Sequence, residues 1–142
     1  SLRSYFGRSI MSGWTAYISN LTDSSSAIKR AAIVGYPNGD VWARTEGDKT
    51  FTATAAELST FVKHFDDLNS VPGTGVDLET VHYIVPRTEE NLIFGKKGST
   101  GLFAAKTKSA VLIAIFEGEN AVSSEVRAAV EKLSAYLQSA GY

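Results

Sequence analysis

The segment from Ala110 to Phe116 is apolar at every position. A strand with one solvated face alternates apolar and polar residues, whereas a strand covered on both faces is apolar throughout. The run is also far shorter than the roughly 20 apolar residues that a membrane-spanning helix needs. We therefore expect a strand over Ala110–Glu117, inside a sheet that has helices on both of its faces.

Three segments with helical periodicity can supply these covering layers. The first helix is predicted to begin at Ser12, because apolar residues follow it at i, i+3, i+4 and i+7: Trp14, Tyr17, Ile18 and Leu21. A second helix begins after the capping box of Thr54 and Glu57, and is expected to end near Asp67. The third occupies residues 121–139, where Gly141 is placed to terminate it.

The remaining apolar segments predict short strands over residues 31–35, 41–44, 81–85, 91–95 and 101–105. The first two flank the turn Pro37-Asn38-Gly39-Asp40, which is a hairpin signature, and a turn is also predicted over residues 87–90. Such short connections favour antiparallel pairing. The predicted fold class is α+β: a central antiparallel sheet, with the N- and C-terminal helices on one face and the inner helices on the other.

Composition excludes several classes of function. The chain has 142 residues and no cysteine, so a disulfide scaffold, a thiolate nucleophile and sulfur-rich zinc sites are ruled out. Its 14 basic and 15 acidic residues lack the positive excess that a dedicated nucleic-acid binder needs. The hydrophobic fraction of 44% is sufficient for one packed core, so we expect a soluble, cytoplasmic domain.

No motif indicates catalysis, a metal or a cofactor. In the segment Gly95-Lys96-Lys97-Gly98-Ser99-Thr100-Gly101, the lysines precede the last glycine and a strand follows, so a glycine-rich hairpin is favoured over a phosphate loop. The two histidines, His64 and His82, match no zinc-enzyme spacing with their acidic neighbours. No Gly-x-Ser-x-Gly turn is present either.

Aromatic residues gather near the two ends of the chain. Trp14 and Tyr17 lie in the first predicted helix, Tyr136 and Tyr142 lie at the end of the last, and Trp42 lies in an early strand. One interpretation is simple packing against the sheet. The other is a shallow groove for proline-rich peptides, whose stiff helix lies flat on aromatic faces and whose carbonyls accept bonds from indole N–H and tyrosine O–H groups.

From Met11 to Tyr142 the sequence resembles the profilins, in particular the invertebrate animal type. The matching segments are Met11-Ser12-Gly13-Trp14-x-x-Tyr17, Ala32-Ile33-Val34-Gly35 followed by Val41-Trp42-Ala43, Phe94-Gly95-Lys96-Lys97-Gly98, and Val130-Glu131-Lys132-Leu133-x-x-Tyr136-Leu137. The profilin domain is thus expected over residues 11–142. Residues 1–10 are interpreted as an appended or upstream extension, with a targeting-peptide fragment as the alternative.

The resemblance implies a protein that binds monomeric actin, proline-rich proteins such as formin-type nucleators, and phosphatidylinositol 4,5-bisphosphate. It implies no enzymatic activity, and a cytoskeletal role that includes nucleotide exchange on actin. The proline groove would be lined by Trp14, Tyr17, Trp42, Tyr136, Leu137 and Tyr142. The broader actin face would include His82, Lys96, Lys97, Val122, Arg127, Glu131 and Lys132.

Phosphoinositide binding would use an acid-free basic stretch between Leu92 and Ser109, with Lys96, Lys97, Lys106 and Lys108. A solvated sheet edge that uses lysines against strand addition explains the same residues. A small α+β ligand-sensing or protein-interaction domain without actin binding remains the rival class.

Overall fold

The elements of the fold follow the predicted order, with two additions. The computed structural model describes residues 10–46, 50–118 and 120–142, and the side chains of residues 14–46, 50–118 and 123–142. The elements are α1 Ile10–Ser24, β1 Ile28–Gly35, β2 Val41–Arg44, α2 Ala55–Lys63, α3 Val71–Thr74, β3 Val76–Leu78, β4 Val81–Glu89, β5 Leu92–Lys97, β6 Thr100–Lys106, β7 Ala110–Glu117 and α4 Asn120–Ser139.

The strands form one antiparallel seven-stranded sheet in the order β2-β1-β7-β6-β5-β4-β3. The predicted central strand β7 lies between β1 and β6, and all residues from Ala110 to Phe116 are buried. Its side chains alternate between two cores, with Leu112 and Phe116 on one side of the sheet and Val111 and Ile113 on the other. The continuous apolar run is thus explained by cover on both faces.

The helices divide between the two faces as predicted, which confirms the α+β arrangement. On one face α1 lies over β1 and β2, while α4 lies over β6 and β7. On the other face α2 packs through Leu58, Phe61 and Val62. This division leaves part of the first face, over β4 and β5, outside the main contacts of the terminal helices.

The predicted capping box at the start of α2 is present. Thr54 N donates to Glu57 Oε1 over 3.0 Å, and Glu57 N donates to Thr54 Oγ1 over 3.1 Å. The second carboxylate oxygen of Glu57 accepts from Thr80 N at 2.8 Å, so the cap also ties α2 to the β3–β4 turn. The helix ends at Lys63 and continues to Asp66 as a 3-10 turn, close to the predicted end at Asp67.

Several boundaries differ from the sequence predictions, and β1, for example, begins at Ile28 instead of at residue 31. The helix α1 begins at Ile10, two residues earlier than predicted. The turn predicted over residues 87–90 is wrong over residues 87–89, because this segment extends β4 and pairs with β5 through Arg87 and Phe94. The strand β3 and the short helix α3 were not predicted, and β3 exists because it pairs with β4.

Candidate functional site

Five aromatic rings, from α1, from β2 and from the C-terminal part of the chain, form one continuous group, called here the aromatic cluster: Trp14, Tyr17, Trp42, Tyr136 and Tyr142. The Trp14 indole is at its centre, with ring centroids 4.8 Å from Trp42, 5.1 Å from Tyr142 and 5.3 Å from Tyr17. Tyr136 extends the group from Tyr17, at 5.9 Å. The rings therefore meet because α1 and α4 lie side by side on the same face of the sheet.

The members of the aromatic cluster differ in exposure. Trp14 is 3% exposed and Tyr17 is 1% exposed, and Leu137 beside them is buried, so these side chains also belong to the core. Tyr136 is 43% exposed, while Trp42 and Tyr142 are partly buried. The rings therefore pack against the sheet and against one another, and Trp42, Tyr136 and Tyr142 also retain solvent-exposed surface.

The packing of the cluster has electrostatic and steric consequences. Burial, followed by the influence of the neighbouring Tyr136, raises the pKa of the Tyr17 hydroxyl, so this group stays protonated and can donate at neutral pH. A Cβ on Gly35 would lie only 2.9 Å from Trp42 Nε1. Glycine at this position therefore allows the indole to lie across the end of β1.

A second candidate surface is the part of the sheet that the terminal helices leave open. We call it the uncovered sheet face and define it by His82 and Ile84 on β4 and by Phe94 and Lys96 on β5. Ile84 pairs with Lys96, and residues two apart on a strand share a face, so the four side chains point the same way. Ile84 is 63% exposed, which is unusual for a large aliphatic side chain.

Ile84 was not identified from the sequence, because the run Tyr83-Ile84-Val85 is apolar at each position. In the strand β4, Tyr83 and Val85 are buried, so the residue between them must point outward. Near it, the Arg87 guanidinium lies 5.7 Å from the centre of the Phe94 ring, which adds positive charge to an apolar surface. His82 is exposed, and its Nδ1 lies 2.8 Å from Asp77 Oδ1.

Arg127 and Glu131, two of the α4 residues of the predicted actin face, form an ion-pair network with Glu89 at the edge of this surface. Arg127 lies 2.6 Å from Glu89 of β4 and 2.7 Å from Glu131 one turn along α4. The hydrogen bond from Arg127 lowers the pKa of Glu89, and Arg127 and Arg87 charges add to this. Arg127 therefore links α4 to β4 rather than offering an unpaired charge. Lys132 is exposed, and the Val122 side chain lies outside the described residues.

The four lysines of the predicted phosphoinositide site do not form one patch. Lys96 and Lys97 lie beside the β5–β6 turn, whereas Lys106 N bonds to Asn91 O at the other end of the same ladder. Five residues of strand separate the two ends, which is about 17 Å at 3.3 Å per residue. Lys106 is moreover engaged over the Tyr36 ring at 4.5 Å, so the structure divides the site into two pairs.

Within the described ranges, no group of three or more His, Asp or Glu side chains is arranged to hold a metal ion. In the same part of the chain, no helix has both the length and the apolar character to cross a bilayer. Every buried side-chain N or O atom of these ranges has a hydrogen-bond partner.

Comparison with known proteins identifies similar chains over nearly the whole length. The Profilin family matches residues 12–142. Profilin-1 of Caenorhabditis elegans is 60% identical over 132 residues, which is 93% of this chain and 100% of that protein. A Schizosaccharomyces pombe profilin structure superposes with a TM-score of 0.81 at 31% identity, covering 91% of this chain and 99% of that one.

A more distant structure, mouse profilin IIa in complex with a double repeat from the FH1 domain of mDia1, has a TM-score of 0.70 at 23% identity. It covers 92% of this chain and 99% of that one, and at this identity it supports the fold alone.

Proposed function

Because the chain belongs to the profilin family, we propose that it is an adaptor that binds actin monomers and proline-rich ligands on two separate surfaces and thereby regulates actin assembly. The observation that carries this proposal is the spatial separation of the aromatic cluster from the uncovered sheet face. The first lies between α1 and α4 over β1 and β2, and the second lies over β4 and β5.

The proline-rich ligand binds at the aromatic cluster. Tyr136, Trp42 and Tyr142 offer exposed ring surface on which proline rings can lie, while Trp14, Tyr17 and Leu137 support them from the core. The Tyr136 hydroxyl and the Trp42 indole N–H, at the more exposed part of the cluster, can donate hydrogen bonds to the carbonyls of an extended peptide. The aromatic residues are rigid, so little side-chain entropy is lost on binding.

Actin binds at the uncovered sheet face and the adjoining part of α4. Ile84 and Phe94 supply apolar area, and Lys96, Lys97 and Lys132 supply positive charge toward an acidic partner. His82 lies at the margin, and Val122 completes the predicted set on α4. Arg127 and Glu131 act there as a pair, because each already has a partner of opposite charge.

Exchange of the nucleotide on actin needs no catalytic side chain in this protein. A ligand shifts a conformational equilibrium by the difference between its affinities for the two states. Tighter binding to an actin conformation with a more open cleft is therefore sufficient. This mechanism requires neither a catalytic side chain nor a cofactor.

The remaining assignments follow from the same proposal. The working domain comprises residues 11–142, and it acts in the cytoplasm with the actin cytoskeleton. Anionic phosphoinositide headgroups bind at the Lys96 and Lys97 pair or at the Lys106 and Lys108 pair. Since the first pair also belongs to the proposed actin face, a headgroup bound there competes with actin.

Two titrations test the proposal. Trp14 and Trp42 are the only tryptophans, so proline decamer binding should produce a saturable change in intrinsic fluorescence. In a second assay, excess protein should slow the spontaneous assembly of actin monomers. Absence of both effects would refute the proposed function, and it would favour the rival ligand-sensing class.

A further inference from the structure

Tyr142, a member of the aromatic cluster, is held in place by the β6–β7 turn of the sheet. The main-chain oxygen of Tyr142 accepts three hydrogen bonds from the β6–β7 turn: from Thr107 Oγ1 at 2.7 Å, from Ser109 N at 2.8 Å and from Ser109 Oγ at 3.1 Å. Convergence of three donors on one oxygen fixes the position of that oxygen closely.

The other side of Tyr142 is fixed by the end of α4. Tyr142 N donates to Leu137 O at 2.9 Å and Gly141 N donates to Gln138 O at 3.1 Å, with Gly141 at φ +98°. These two bonds form a Schellman motif, which sets the direction in which the chain leaves the helix. Between the motif and the turn, the main chain of Tyr142 has little freedom, and its ring lies edge-on against Trp14.

The Ser109 hydroxyl is not needed to close the turn itself, whereas the Thr107 hydroxyl oxygen also accepts a hydrogen bond from Ala110 N at 3.1 Å. Thr107 N donates to Ala110 O at 2.8 Å, and Ser109 O accepts from Tyr36 N at 2.9 Å, so main-chain bonds already shape and anchor it. The Thr107 side chain is 3% exposed and has a single hydroxyl hydrogen. Its nearer acceptor is Tyr142 O at 2.7 Å, compared with 3.3 Å for Ala110 O.

We propose that Thr107 and Ser109 are positioning residues of the proline-binding surface, whose hydroxyl groups hold the Tyr142 main chain and so fix the Tyr142 ring against Trp14. This inference rests on the proposed function. A ring that is already in its bound position loses less freedom when the peptide arrives. The two residues contact no peptide themselves, and they act through Tyr142.

The test is a double-mutant cycle read by the affinity for a proline decamer. In the otherwise unchanged protein, the double variant Thr107→Val/Ser109→Ala should weaken binding roughly three- to tenfold, as expected for lost hydrogen bonds. In a Tyr142→Ala background the same two substitutions should change the affinity by less than about twofold, because the ring they position is absent.

Matched variants separate positioning from general stability. Thr107→Ser keeps the hydroxyl and should restore the affinity that Thr107→Val loses. Thr88→Val removes a comparable bond, from Thr88 Oγ1 to Leu68 O at 3.2 Å, and should leave decamer binding unaltered. If Thr107→Val does not fold, the same cycle is measured with Ser109→Ala alone, since Ser109 is partly exposed.

Equal losses in the two backgrounds, or no loss in the protein that retains Tyr142, would overturn the inference while leaving the proposed function intact. A parent protein that shows no decamer binding at all would overturn both.

Discussion

Tyr17 of α1 and Tyr136 of α4 face each other with ring centroids 5.9 Å apart, and one is 1% exposed while the other is 43% exposed. The pair marks the boundary between the core and the candidate proline-binding surface. A buried ring supports an exposed one, so a substitution at the exposed ring can remove ligand contacts without opening a cavity.

Tyr136→Ala should therefore weaken binding of a proline decamer by about 1 to 3 kcal/mol, as for an aromatic residue at the centre of an interface. Tyr136→Phe keeps the ring face and should lose only the hydroxyl contribution of about 1 kcal/mol. Fluorescence titration measures both affinities. Glu125→Ala, an exposed change near the other end of the same helix, is the control. Wild-type affinity in Tyr136→Ala would contradict the assignment.

Ile84 provides the corresponding test for the actin face. Ile84→Thr keeps the β-branch but removes apolar contact area, so it should weaken binding to actin monomers by about 1 kcal/mol. Because Ile84 is 63% exposed, stability should change by no more than about 0.5 kcal/mol. Val41 is 42% exposed and lies in β2, the edge strand at the opposite end of the sheet from β4 and β3, so Val41→Thr should leave actin binding unaltered. Equal effects of the two variants would count against an actin surface at β4.

The Arg127–Glu89 link predicts a dependence of stability on pH. The hydrogen bond from Arg127 lowers the pKa of Glu89 in the folded state. The link therefore stabilises the fold fully at pH values above the unfolded-state pKa of Glu89, about 4.3, and this stabilisation is lost as the pH falls through the lower folded-state pKa. Wild type should exceed Glu89→Gln in free energy of unfolding at pH 7, and the difference should narrow below about pH 4. Urea unfolding at both pH values measures it. Glu90→Gln, at the exposed neighbour, should show no such convergence.

The proposed domain boundary predicts the behaviour of a shortened chain. A protein that starts at Met11 should bind the proline decamer at least as tightly as the full chain and unfold at the same temperature, because the proposed surfaces use residues 11–142 only. Parallel titrations and thermal melts of the two chains provide the comparison. A severalfold weaker affinity of the shortened chain would assign residues 1–10 to the binding surface.

The parts of the fold that follow from local pattern could be predicted. The uninterrupted apolar residues from Ala110 to Phe116 required cover on both faces, and the spacing of Thr54 and Glu57 identified the start of α2. By contrast, β3 has only three residues after a segment with Pro72 and Gly73, and it is a strand because β4 is available to pair with it. The two strands are joined by Glu79 and Thr80, which both have positive φ but are not the Gly, Asn or Asp residues that usually mark such a hairpin turn in a sequence.

The same distinction applies to the candidate surfaces. Tyr83, Ile84 and Val85 are three consecutive apolar residues, so the sequence does not show which of them points outward. The structure shows that Ile84 does, and that it lies outside the main contacts of the terminal helices. The four lysines were predicted as one patch because they are close in sequence. In the β5–β6 hairpin, however, Lys96 and Lys97 lie beside the turn, whereas Lys106 lies at the opposite end of the two strands. The bond between Thr107 and Tyr142 depends on α4 ending beside the β6–β7 turn, which tertiary packing decides.

The central claim is that one molecule binds actin and a proline-rich ligand at the same time through separate surfaces. The most direct measurement is a decamer titration of the protein in the absence and in the presence of saturating actin monomer, with binding followed on a labelled decamer. The account predicts dissociation constants that agree within about twofold and a complex that contains all three components. Loss of decamer binding in the presence of actin would contradict it, because the two ligands would then share one surface.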